Sequence, residues 1–224
     1  MPVFVVLLPL GMLVSVWLPG ARMLPEALAS LGVPAVLAWL LAQLGRMSSR
    51  QPALWARWGG SPTTQMLRHR NADANPELRR HYHARIAALS PSLAMPTAED
   101  EARDPAHADE VYEAATRLLI ARTRDRKRFP LVFNENVYYG YRRNLWAMKP
   151  IGVTIALLSL AGCLWPIVAS HTPVIKVKAD WWVSTAICAG LVLVWLAWVT
   201  PAWVRIAAQA YAERLLEACD QLGP

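Results

Sequence analysis

Charge is scarce in this 224-residue chain: Asp, Glu, Lys and Arg make up 17% of it and hydrophobic residues 55%, whereas an average soluble domain is about a quarter charged. Cysteine is scarcer still. Of the three, Cys163 and Cys188 fall in apolar stretches and Cys219 lies near the end, so no pair is placed for an extracytoplasmic disulfide and no C-x-x-C spacing exists for redox or zinc chemistry. A disulfide scaffold is excluded, the thiols read as packing residues, and Cys219 stands too far from the end for a prenylation box. The sequence also lacks an internal period, which excludes a solenoid, and lacks the polar composition of a disordered chain. It contains no G-x-x-x-x-G-K-[ST], G-x-S-x-G or H-E-x-x-H, so the local markers of nucleotide hydrolysis, serine hydrolysis and zinc proteolysis are missing.

What the sequence does have is long apolar runs. Four stretches, 2–18, 27–45, 150–169 and 183–204, contain no Asp, Glu, Lys, Arg or His, and a run of roughly 17 to 25 such residues crosses a hydrocarbon core as a helix. The first two are joined by Pro19 to Glu26 and the second two by Ser170 to Trp182, which predicts two antiparallel hairpins. Only Met1 and Pro2 precede Val3, and a cleaved leader would want a basic residue there. Residues 2–18 are therefore expected to be a span. The fold class expected is an all-α membrane protein with hairpins over 1–45 and 150–204, a basic helical domain over 46–149 inserted between spans two and three, and a helical tail over 205–224.

The basic residues fix the expected orientation. Between Arg46 and Lys149 stand 18 Lys or Arg against 11 Asp or Glu, an excess of seven that equals the formal charge of the whole chain, +7. Segments rich in Lys and Arg stay on the cytoplasmic side. Both termini and the inserted domain are thus expected in the cytoplasm and the hairpin links outside it. Arg46, Arg50, Arg142, Arg143, Lys149 and Arg205 would flank the spans, with Trp17, Trp146, Trp165, Trp181, Trp182 and Trp203 as indole anchors near span ends.

A membrane interior free of ionisable side chains disfavours a proton-coupled pump. The spans carry instead hydroxyls, including Thr154 and Ser159, and the small-residue pairs Gly152/Ala156, Ser159/Cys163 and Ala186/Gly190, which let helices approach closely. These suit packing within one bundle, or a narrow homo-oligomeric pore lined by Thr154 and Ser159. Pro9, Pro34, Pro166 and Pro201 interrupt or end spans, as hinges or tolerated kinks.

In the central region, Ser61-Pro62 and Asn75-Pro76-Glu77 each place a capping side chain before a Pro at the first helical position, predicting helices to about Arg68 and Leu89. Asp109 is expected to cap a third helix to about Arg124, Ser90–Ala108 to be a loop or linker, and Pro130 to start a helix with Phe133, Val137, Tyr141, Leu145 and Met148 in one stripe. On the third helix Val111, Ala115, Leu118 and Leu119 form an apolar face that Arg122 and Arg126 extend. The run ARTRDRKR suits solvated cations at a helix end, anionic lipid headgroups, or an anionic nucleotide or oligonucleotide. Arg79-Arg80-His81-Tyr82-His83 and Tyr138-Tyr139-Gly140-Tyr141-Arg142-Arg143 combine guanidinium groups for phosphates with rings for bases, or serve as interfacial anchors. The candidate ligand-binding residues are Arg79, Arg80, Arg122, Arg126, Tyr141, Arg142 and Arg143. His81 and His83 point to different faces of a helix and no third ligand follows at a metal spacing, so neither metal nor cofactor is expected. Asp73, Asn134, Glu135 and Asn136 are carboxylates and amides that nothing pairs as acid and base, and no catalytic residue is assigned. The tail places Ile206, Ala210, Leu215, Leu216 and Leu222 on a stripe expected to continue span four as an association helix.

Two segments, LWARWGGSPTTQMLRHR (Leu54 to Arg70) and NENVYYGYRRNLWAMKP (Asn134 to Pro150), resemble segments of bacterial four-span membrane proteins with a cytoplasmic insertion. The architecture resembles that of the Hailong-type transmembrane effectors of anti-phage defence. The resemblance implies an oligomeric ion channel held closed by a single-stranded oligodeoxyadenylate that a partner nucleotidyltransferase makes, with the cytoplasmic arginines and tyrosines as sensor. Residues Trp58, Gly59, Gly60, Pro62 and Thr63 equally suit a structural turn that starts a helix. Two other classes fit the same sequence: a membrane scaffold that docks a cytoplasmic protein, and a membrane-embedded enzyme.

Overall fold

The computed structural model describes residues 2–17, 51–169 and 179–223, and among them every regular element is helical. In chain order these are α1 (Pro2–Trp17), α2 (Gln51–Trp58), α3 (Pro62–Leu67), α4 (Pro76–Leu89), α5 (Ala98–Arg103), α6 (Pro105–Arg122), α7 (Pro130–Ala147), α8 (Lys149–Val168), α9 (Ala179–Leu193) and α10 (Pro201–Glu217). A π-helical turn, Val194–Trp198, prolongs α9, and a 3₁₀ turn, Ala218–Gln221, follows α10. The chain divides into two compact units, Met1–Arg50 with Tyr141–Trp203 and Gln51–Gly140 with Val204–Pro224.

The first unit is apolar. α8, with 20 residues, and the run Ala179–Trp198 are long and apolar enough to cross a membrane, and α1 is a shorter apolar helix. At 1.5 Å per residue each 20-residue run reaches about 30 Å. The stretch expected at 27–45, with Arg46, Arg50, Pro34 and both hairpin links, lies outside the described residues. The stretch expected at 183–204 is displaced: the helix begins at Ala179, takes Asp180 into its first turn and ends at Trp198. The reason is Pro201, which has no N–H to continue a helix and fits the first position of a new one. The Thr200 hydroxyl accepts from the Trp203 N–H at 3.3 Å, so Pro201–Val204 belongs to α10.

Gly152, Ala156, Ser159 and Cys163 form one buried stripe on α8. A Cβ on Gly152 would overlap the fully buried indole of Trp195, and one on Gly162 would come within 2.6 Å of Leu13. Small residues here thus admit a tryptophan and a close helix crossing. The opposite faces are uncovered and apolar: Leu158 and Val168 are each 67% exposed and Leu193 and Trp198 each 65%, with Leu157, Trp165, Trp182 and Leu196 exposed beside them. A core helix of a soluble protein would bury such side chains. Ala186 and Gly190 also stand exposed. Among the expected indole anchors, Trp181 is buried, edge-on to Trp17 with ring centres 5.4 Å apart.

The second unit is a small helical domain with its own core of Leu67, Ile86, Leu89, Tyr112, Ala115, Leu119, Phe129 and Val132, completed by Leu215, Leu216, Cys219 and Leu222. Its helices start where side chains satisfy free backbone N–H groups. Ser61 caps α3 and Asn75 caps α4, each followed by proline. The expected loop Ser90–Ala108 instead contains α5, started by a reciprocal capping box in which the Thr97 hydroxyl and the Asp100 carboxylate satisfy each other's backbone N–H. α6 begins earlier than expected, because Asp104 accepts from His107 N–H at 3.0 Å and Pro105 takes the first position. Asp109 lies inside that helix and has another task, described below.

The buried face of α6 is Ala108, Tyr112, Ala115 and Leu119, with Val111 and Leu118 only half-buried. Arg122 and Arg126 do not extend it: α6 stops at Arg122, where the Thr123 N–H and hydroxyl both donate to the Leu119 carbonyl. On α7 the buried residues are Val132, Tyr139, Leu145 and Ala147, followed by Met148, while Val137 is exposed. The stripe shifts because Val132 packs in one core and Leu145 and Met148 in the other. The tail is no free association helix, since Leu215, Leu216 and Leu222 are core residues and only Ile206 of the expected stripe is largely exposed.

Candidate functional site

A buried acid organises the helical domain. The Trp58-Gly59-Gly60 turn ends α2, with both glycines at positive φ (79° and 128°) that side chains rarely adopt. A Cβ on Gly60 would come within 2.7 Å of the Arg68 guanidinium, which the turn thus admits, and Arg68 Nη1 donates to the Gly59 carbonyl. Arg68 then grips Asp109 with two bonds, Nε to Oδ1 at 2.7 Å and Nη2 to Oδ2 at 2.8 Å. Arg70 links the same carboxylate (Nη2 to Oδ2, 2.7 Å) to Glu101 (Nη1 to Oε1, 3.0 Å). Glu101, 1% exposed, also accepts from the His69 N–H at 2.7 Å, the Arg70 N–H at 3.1 Å and the Tyr112 hydroxyl at 2.7 Å.

Burial alone would raise the Glu101 pKa, but the Tyr112 hydroxyl, the two N–H groups and Arg70 outweigh it and hold the carboxyl below its ordinary value. Burial and that same bond push the Tyr112 hydroxyl up. His83 donates from Nε2 to the Leu67 carbonyl at 2.8 Å, and burial holds it below its ordinary value despite that bond. The network fixes residues 68–71 against α5 and α6, with every member satisfied, as a buried polar cluster requires.

The loop so held forms one rim of a cavity of about 440 Å³. α3 contributes Gln65 and Met66, the following loop Asn71 and Asp73, α4 Leu78, Arg79 and Tyr82. α10 contributes Arg205, Gln209, Glu213 and Glu217, four residues at successive i, i+4 positions and hence one helical stripe. Both cations on this wall are engaged. Arg79 Nη1 donates to the carbonyls of Arg68 at 3.0 Å and Asn71 at 3.4 Å, and Arg205 Nη2 to Gln65 Oε1 at 3.4 Å. Among the described residues, the carboxylates of Asp73 and Glu213 have no ion-pair partner, while Glu217 pairs with Arg214 at 2.6 Å. Burial and then the nearby acids, Glu217 foremost, raise the Tyr82 hydroxyl pKa.

A second feature is the turn between α6 and α7. Arg122, Arg124, Arg126, Lys127 and Arg128 are all exposed there, with Asp125 as the one acid among them. Arg126 lies over the Phe133 ring at 4.6 Å, and Arg128 lies over Phe129 and donates to the Gln221 carbonyl at 2.7 Å. The charged ends of Arg122, Arg124 and Lys127 have no partner among the described residues. Leu131, Val137 and Tyr138 leave an apolar arc exposed on the adjoining part of α7.

The expected site residues are distributed over both units. Arg122 and Arg126 share this turn. Arg79 lies in the cavity wall, and Arg80 is exposed and paired with Glu77 at 2.8 Å. Tyr141, Arg142 and Arg143 fall in the apolar unit, where Tyr141 packs against the core and Arg142 lies over Trp203 at 4.8 Å and donates to its carbonyl at 3.0 Å. Thr154 is exposed and donates to the Pro150 carbonyl at 2.9 Å, whereas Ser159 is buried in the α8 stripe. His81 pairs with Asp220 at 2.7 Å, and among the described residues no three His, Cys, Asp or Glu side chains gather as a metal site.

Compared with protein-family models, curated proteins and solved structures, the chain matches none.

Proposed function

We propose that this chain is a multi-pass membrane effector of the bacterial inner membrane whose helical domain lies in the cytoplasm with both termini and captures a phosphate-rich ligand at the turn between α6 and α7. The observation that carries this reading is five exposed cations in the seven residues from Arg122 to Arg128, three of them without a protein partner at the charged end among the described residues. Uncommitted guanidinium groups suit phosphates, which they grip with paired N–H bonds. The uncovered apolar faces of α8 and α9 support the membrane assignment, because lipid tails can cover them where water cannot. The resemblance to Hailong-type effectors supplies the finer part of the proposal: a homo-oligomeric ion channel, a single-stranded oligodeoxyadenylate ligand, a partner nucleotidyltransferase and a role in anti-phage defence. Arg79, Arg80, Tyr141, Arg142 and Arg143 are secondary in this reading, since protein groups already engage Arg79, Arg80 and Arg142, and no bond-making step belongs to it.

The test uses full-length protein in nanodiscs and a fluorescent oligodeoxyadenylate. Affinity should fall with salt. The R122A/R124A/K127A triple variant should flatten that log–log slope by about 2, because each cation pairing with a single-strand phosphate accounts for about 0.7 of it. Unchanged binding by the triple variant, or planar bilayers that never conduct with or without the oligonucleotide, would overturn the proposal. A second reading, anionic lipid headgroups as the ligand, is favoured by the exposed Leu131, Val137 and Tyr138 beside the cations. It predicts that Tyr138→Cys carrying an environment-sensitive dye reports an apolar setting in phosphatidylglycerol nanodiscs and a polar one in phosphatidylcholine.

A further inference from the structure

The cavity bounded by α3, α4 and α10 has the opposite electrostatic character from the cationic turn. Three carboxylates line it, Asp73, Glu213 and Glu217, against two guanidinium groups. Arg79 is held by two main-chain carbonyls and Arg205 by Gln65, so their positive charge is already matched to oxygen. Asp73 and Glu213 are not so matched among the described residues. Met66 and Leu78 offer apolar surface, the half-buried Tyr82 a ring face, and Gln65, Asn71 and Gln209 amide oxygens. A volume of about 440 Å³ lies within the range of small-molecule sites.

We infer that this cavity binds a small organic cation, an alkyl amine or polyamine, with its ammonium ends at Asp73 and Glu213 and its alkyl stem along Leu78, Met66 and Tyr82. Ammonium groups donate to carboxylate and amide oxygens, and cations are attracted to an aromatic face. A nucleotide fits poorly, because phosphate would meet three carboxylates with both guanidinium groups already occupied. The stripe Arg205, Gln209, Glu213 and Glu217 makes α10 the element that reads the ligand, and the network of Glu101, Arg70, Asp109 and Arg68 holds the opposite rim in place. The inference is independent of the cationic turn, so either proposal can fail alone.

The experiment is calorimetric titration of the full chain in detergent micelles with spermidine, and with 1,8-octanediol as a neutral molecule of similar length. Spermidine should bind and octanediol should not. Asp73→Asn and Glu213→Gln should each weaken spermidine about tenfold or more, and together abolish binding, with unliganded melting temperatures unchanged. Arg122→Ala should bind spermidine as the unmodified chain does. Absence of spermidine heat at millimolar concentration, equal affinity in the D73N/E213Q variant, or tighter binding of adenosine monophosphate than of spermidine would each overturn the inference.

Discussion

In the unit of α1, α8 and α9, close approach comes from removing side-chain volume. Gly152 leaves room for the Trp195 indole, Gly162 admits Leu13, and Ser159 and Cys163 continue the same narrow stripe. In the helical domain of α2–α6 and α10, packing is fixed by charge and hydrogen bonding, with Glu101 alone gathering two main-chain N–H groups, a guanidinium and a phenol. The membrane reading proposed above accounts for the contrast. Where side chains are apolar inside and out, burial does not distinguish one helix crossing from another, and steric fit must do so. In water the hydrophobic core supplies the drive, and a satisfied polar cluster selects one arrangement of short helices.

The variant that breaks this comparison most sharply is Glu101→Ala. It leaves the Tyr112 hydroxyl and two main-chain N–H groups without their acceptor and takes from Arg70 one of the two carboxylates it binds, and should cost the helical domain about 3–5 kcal/mol, measured by urea unfolding followed by circular dichroism in micelles. The apolar unit answers to size instead of charge: Gly152→Ala should cost about 1–3 kcal/mol by overpacking, measured as reduced resistance to dodecyl sulfate unfolding. Replacing Trp195 with Phe should recover part of that stability, and neither change should move the urea transition of the helical domain.

Acid sharpens the comparison further, because among the described residues the buried Glu101 and the half-buried His83 both belong to the helical domain. His83 is held below its ordinary value, so the unfolded chain takes up its proton first, and stability should start to fall as pH drops below about 6.5. Glu101 is also held low. Its contribution is complete above about pH 4.3 and should vanish as pH falls through the lower folded value. Melting temperature against pH should thus decline in two stages, with His83→Gln removing the upper one and Glu101→Gln the lower. The smallest effect is expected from Arg117→Ala, which breaks an exposed pair with Glu113 at 3.5 Å and should change stability by about 0.5 kcal/mol or less.

The sequence made helix starts legible where the signal is local. Ser61-Pro62 and Asn75-Pro76 each read correctly, because a capping oxygen and a proline act within three residues. The same signal at Asp104-Pro105, and the box Thr97–Asp100, lay inside a stretch whose prolines and acids suggested a loop. Pattern alone could not tell a capping carboxylate from a solvated one. Nor could it find the task of Glu101 or Asp109, whose partners Arg68 and Arg70 stand more than 30 residues away. The cavity was hidden for the same reason, since α10 meets residues 62–82 only after the chain has folded back. Its one visible trace was the polar i, i+4 stripe from Arg205 to Glu217, which breaks the apolar pattern of the tail.

The place of Leu215, Leu216, Cys219 and Leu222 in the core begun by Leu67 sets an order of events during synthesis. Core neighbours on the order of 150 positions apart must wait for one another, so α2 to α6 emerge from the ribosome without the wall that closes their interior. Both long apolar helices of the second half are translated before that wall exists. In the membrane reading proposed above, insertion into the bilayer precedes completion of the helical domain, and an arrest of translation before Leu215 should leave a half-built domain open to proteases with α8 and α9 already inserted.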